Sequence, residues 1–158
     1  MAEINNTEKE TSFNETEQLL EEAETSVKEI VVCSEDALIA ANQALDLAKD
    51  WVWKAQASLC YIKRSSVLVE GLGMDRRTRA NIDHQIKVAE EKEMEARHSV
   101  EEATEVLKLA TEANQRIQKK VSLIQDGKAI MKEIRDNPSE ETKKKAAAVI
   151  ASLRAAGL

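Results

Sequence analysis

The stretch VKEIVVCSEDALIAANQALDLAKDWVWKAQASLCYI, residues 27–62, decides how the chain is read. Neither glycine nor proline interrupts it, and a small or apolar side chain returns every seven residues at Val27, Ala41, Ala48, Ala55 and Ile62, with Ser34 in the same series. A seven-residue apolar period is the signature of helices that pack lengthwise on one another. Extended backward, the series takes in Leu20 and Phe13; extended forward, it ends at Val69. A second series runs through Ile82, Ala89, Ala96, Ala103, Ala110, Ile117, Ile124 and Met131.

Between the two series lies Gly71-Leu72-Gly73, two flexible residues in three and a natural helix C-terminus. Two helical arms joined by so short a link are antiparallel neighbours. The sequence therefore predicts an all-α fold: a long antiparallel helical hairpin, coiled-coil-like with an alanine-rich seam, followed by a short third helix and assembling into a helical bundle. The expected boundaries are a disordered lead-in at 1–11, arms at about 12–70 and 75–136, a turn at 71–74, and a C-terminal capping or appended helix at 137–158. Ser12-Phe13-Asn14-Glu15 reads as the capping box that opens the first arm. Asp75 or Thr78 opens the second, and Asn137 with Pro138 caps the third helix. Glu140 and Glu141 stand four residues ahead of Lys144 and Lys145, the favourable order for helix ion pairs. The competing architecture is a compact four- or five-helix bundle, with breaks near Ser34 and Ser99.

With the series through Ala41 named position a, the flanking positions of the first arm show how much of it wants burial. Positions b and c are polar. Position e holds Val31, Leu38, Leu45, Val52 and Leu59, and position g holds Leu47, Tyr61 and Leu68. Position f holds Val32, Ile39, Trp53, Cys60 and Val67. A helix apolar over most of its circumference is covered by several neighbours. The second arm is narrower, with a charged middle from Glu90 to Glu102. One thin stripe cannot cover both Trp51 and Trp53, which point roughly 200° apart on a helix. The excess predicts an interface made of Val32, Ile39, Trp51, Trp53, Cys60 and Val67, where first arms of two subunits meet.

Composition narrows the function classes. Aromatic residues are 3% of the chain, with one proline and four glycines, too few for a β-rich fold. The formal net charge of −6 opposes non-specific binding to nucleic acid or to an anionic membrane. No apolar run is long enough to span a bilayer and no secretory leader is apparent, so a cytoplasmic location is expected. The thiols Cys33 and Cys60 are expected as small buried hydrophobes in a reducing compartment.

Motifs for chemistry are scarce. Glu95-Ala96-Arg97-His98 has the Glu-x-x-His spacing of di-iron bundles, but a complete site needs two such motifs and two more glutamates. His84 and His98, the only histidines, are about 21 Å apart on one helix and cannot share a metal. Asp126-Gly127-Lys128 lacks the upstream glycine of a phosphate-binding loop. No catalytic residue, metal ligand or cofactor is expected, and the chain is not expected to be an enzyme. Arg76, Arg77 and Arg79 form a basic cluster at the hairpin tip, a candidate contact for an acidic partner. The sequence thus predicts a self-associating helical scaffold or protein–protein interaction module, whose partners are further copies of itself, as a dimer or higher, or another helical protein. The alternative is an amphipathic binder of lipid surfaces.

Overall fold

The computed structural model describes residues 2–157, with side chains from Phe13 onward. Three helices follow in order, α1 (Ala2–Glu70), α2 (Arg76–Asp136) and α3 (Glu140–Ala155), and no strand occurs among the described residues. The long helical hairpin with a short C-terminal helix is therefore the fold; the compact four- or five-helix bundle is not. Helix α1 starts at Ala2, ahead of the start expected at residue 12. Residues 2–11 contain no glycine or proline, and their glutamates and lysine are good helix formers, so nothing in the sequence stops the helix from continuing.

Neither break of the competing architecture occurs, and both arms are continuous as expected. The Ser34 hydroxyl donates to the Val31 carbonyl at 3.1 Å, and the Ser99 hydroxyl to the Glu95 carbonyl at 3.2 Å. Both bond back to the preceding turn instead of capping a new helix. The turn forms where the glycines predict it: the Gly71 N–H donates to the Val67 carbonyl, and Gly73 adopts φ 82, a left-handed conformation that suits glycine. Asp75 then caps α2, its carboxylate accepting the Thr78 N–H at 2.7 Å.

The chain divides into two compact units, one formed by the residues up to Asp36 and from Glu112 onward, the other by Ala37–Thr111. The first is a three-helix unit. Its core is Leu20 and Val27 of α1, Ile124 and Met131 of α2, and Leu153 of α3, with Phe13, Val31, Ile117, Val121 and Val149 packed around them. Burying each such side chain contributes about 1.5–3 kcal/mol. Gly127 faces both other helices of this unit, and α1 is the nearer. A Cβ there would stand 3.0 Å from Leu20 Cδ2 and 3.4 Å from Val149 Cγ1.

The cap of α3 is Ser139, not Asn137. The Ser139 hydroxyl accepts the Thr142 N–H at 3.2 Å, and Thr142 Oγ1 accepts the Ser139 N–H at 3.0 Å. Ser139 has the extended backbone of a cap, φ −119 and ψ 161, and its reciprocal bonds with Thr142 complete a capping box. Glu140 and Glu141 occupy the first turn, where the helix dipole favours acids. Glu141 pairs with Lys145 as the i,i+4 rule predicts, at 3.7 Å, whereas Glu140 takes Lys143 at 3.0 Å.

The second unit is a two-helix hairpin. Ala41, Ala48 and Leu59 of α1 and Ala89 and Ala96 of α2 are buried, Ala96 completely. Leu38, Leu45, Val52, Ala55 and Ile62 are half-buried, as are Ile82, Ile86, Val100, Ala103 and Leu107 of α2. Burial on α1 follows positions a and e, a three-four alternation in which Ala41, Ala48, Ala55 and Ile62 alternate with leucine or valine. That is the geometry of a coiled-coil seam, with alanine permitting close approach of the two backbones.

Candidate interaction surface

The seam that aligns the two arms is keyed by polar pairs. In the three-helix unit, the buried Ser34 hydroxyl donates to Asn114 Oδ1 at 2.9 Å. Lys128 pairs with Glu24 and Arg135 with Glu17, each along the same antiparallel register. In the hairpin unit, Gln56 Nε2 donates to Glu93 Oε1 at 3.3 Å, and Lys63 pairs with Glu90 at 2.8 Å. Glu93 lies in phase with Ile86, Val100 and Leu107, on the seam itself, and also accepts two bonds from Arg97.

Electrostatics follow from these partners. The Arg97 guanidinium, then Gln56, hold the Glu93 carboxyl below the usual glutamate value, as Lys128 and then Lys28 do for Glu24. Hydrogen bonding to Glu90 raises the Lys63 ammonium above the usual lysine value. The sequence reading missed these pairs. Their signal was present: Glu93, Asn114 and Lys128 occupy the same heptad position as Val100, Leu107 and Val121.

All six residues expected at an interface are exposed. In the hairpin unit these are Ile39, Trp51, Trp53, Cys60 and Val67, with Trp53 68% and Val67 67% accessible; Val32 belongs to the three-helix unit. Trp53 and Val67 sit at position f, and Leu47, Tyr61 and Leu68 at position g are as open, at 71%, 74% and 72%. These three were read as apolar but not as part of the surface, because the number of neighbours covering a helix is not written in its own sequence. Trp51 lies at the end of a shallow groove formed with Ala55, Ser58, Ile62, Gln85 and Val88. Met94, Val106 and Leu109 of α2 are also exposed.

Both cysteines are exposed and free, contrary to the expectation of burial. They occupy positions g and f, outside the a/e seam, so no neighbour covers them. Arg76, Arg77 and Arg79 are exposed in the first turn of α2, and no ion pair engages them among the described residues. The positive end of the helix dipole disfavours cations there. His98 instead lies beside Glu101 and Glu102 on an exposed face, and no group of three or more metal-binding side chains comes together among the described residues. Among the described residues, no helix is long and apolar enough to cross a membrane. No family model matches the chain, and no curated protein or solved structure matches it either.

Proposed function

We propose that the protein is a non-enzymatic helical scaffold or protein–protein interaction module that associates with itself through the outer face of α1 in the hairpin unit. The observation that carries this reading is the exposure of Ile39, Leu47, Trp53, Tyr61, Val67 and Leu68 on one helix. Tryptophan and tyrosine of this kind are the side chains that dominate association energies when a partner encloses them. The hairpin unit is the place for such a partner, since its own seam buries mainly alanine and leaves these larger side chains in water.

The test is mass by light scattering at micromolar concentration, for the native chain and for Trp53→Glu. The native chain should be a dimer or larger and the variant a monomer with unchanged helicity. A native monomer at that concentration sinks the reading. Flotation with liposomes separates it from lipid-surface binding, which the net charge of −6 opposes.

A further inference from the structure

Helix α3 carries its apolar side chains at Ala146, Val149, Ile150 and Leu153, positions i, i+3, i+4 and i+7. That is the anchor spacing by which an amphipathic helix lies in an apolar groove. The groove is formed by Leu20 of α1 with Gly127, Ile130 and Met131 of α2, and all four anchors line it. Ala146 and Leu153 are buried there, and Val149 and Ile150 are half-buried. We propose that α3 is a displaceable latch, a groove-binding helix carried by the chain itself. When it lifts, the groove on α1 and α2 accepts a second amphipathic helix with the same anchors, a small residue followed at i+3, i+4 and i+7 by valine, isoleucine and leucine.

The way α3 is held supports this. Among the described residues, its ion pairs are internal, Glu140 with Lys143 and Glu141 with Lys145. No ion pair joins it to α1 or α2 among those residues, whereas these two helices are tied to each other by Glu24 with Lys128 and Glu17 with Arg135. A helix docked by apolar contact lifts without leaving a buried charge unpaired. The α1–α2 pairs stay in place when it does. Helix α3 also supports its own conformation, with the Ser139–Thr142 capping box, acids in its first turn and Arg154 in its last. Isolated helices of this length are marginal, and these are the devices that sustain them away from neighbours. The groove is specific in shape. Its floor at Gly127 carries no side chain, and Leu20 and Val149 close over it.

The test uses a fluorescent peptide with the sequence of residues 137–158, titrated with the full native chain and with the full Leu153→Ala chain. A tethered helix meets its groove at an effective concentration on the order of millimolar, so a helix in trans gains access when α3 is lifted. Apparent affinity then scales with the fraction of chains that are open. Leu153→Ala weakens the contact within the chain, so that chain should bind the peptide about tenfold or more tightly than the native chain does. The same substitution placed in the peptide should weaken binding to the Leu153→Ala chain by a similar factor. Opposite signs from one substitution distinguish a displaceable ligand from a helix that only packs. No binding to the Leu153→Ala chain at about 1 mM peptide, equal affinity for both chains, or equal affinity of both peptides overturns the latch. So does a loss of helical signal in the Leu153→Ala chain beyond the 16 residues of α3, since the hairpin would then depend on it.

Discussion

Gly127 shows how one residue sets a packing distance. It lies inside α2, where glycine costs about 1 kcal/mol relative to alanine, and its position would be hard to explain from α2 alone. The explanation is Leu20 of α1, which leaves an added Cβ only 3.0 Å, with Val149 and Leu153 of α3 at ordinary contact distance. A β-branched side chain there has no space, so Gly127→Val should destabilise the protein by about 1–3 kcal/mol, read from chemical denaturation. Unchanged stability would mean that Leu20 gives way to the added side chain. Asn114 is the opposite case, a polar residue on an apolar seam. Such residues fix register at the expense of stability. Asn114→Leu should raise the thermal midpoint, because the Ser34 hydroxyl keeps its bond to the Val31 carbonyl and is not orphaned. A lowered midpoint would show that the Ser34–Asn114 bond stabilises the native state rather than only aligning it.

At the scale of the element, α1 and α2 are matched along their seam by residues that the apolar period alone does not reveal. The period placed position a at the seam, and the structure adds position e, so that Leu38, Leu45, Val52 and Leu59 alternate with the alanines. The same alternation on α2 admits Glu93 and Asn114, which find partners on α1. These pairs give the hairpin a dependence on pH. Glu24 and Glu93 have native pKa values below 4.5, so the unfolded chain binds more protons as the solution turns acid. Their stabilising contribution is whole above the unfolded value and is lost as pH falls through the native values. Lys63 runs the other way: with a native pKa above 10.5, its contribution is whole below that value and lost as pH rises through the native one. Thermal melts from about pH 6 down to about pH 3 should show a falling midpoint, and Glu24→Gln should flatten that fall. An identical slope in the variant would remove Glu24 from the account. For α3, Leu153→Ala takes a buried anchor from the three-helix unit and should destabilise it by about 2–3 kcal/mol, with protection from hydrogen exchange lost first in α3.

For the molecule as a whole, the two units enclose different side chains. The three-helix unit encloses leucine, isoleucine and methionine; the hairpin unit encloses mostly alanine, which buries less area per residue. If association through α1 completes the hairpin unit, stability depends on concentration. The thermal midpoint should rise when the protein is concentrated from low to high micromolar, and Trp53→Glu should abolish that rise. A midpoint independent of concentration would contradict the proposed association.

The heptad series, the Gly71-Leu72-Gly73 turn and the Asp75 cap were legible because each is a local signal: a period, a pair of flexible residues and a side chain that bonds its own next turn. So was the excess of apolar surface around Trp53, since it could be counted against the narrow stripe of the second arm. The shift of the α3 cap from Asn137 to Ser139 was not, because two competent caps flank one proline and only backbone geometry selects between them. The sequence by itself determined two long helices, their reversal and which arm carries surplus apolar side chains. Only the tertiary structure decided that the seam follows a and e, that Ser34 meets Asn114 and Gln56 meets Glu93, that Leu20, Val149 and Leu153 close on Gly127, and that Cys33 and Cys60 face outward. The physical reason is that periodicity records which side chains avoid water, while burial depends on which neighbours arrive to cover them, and that is a property of pairs far apart in the chain.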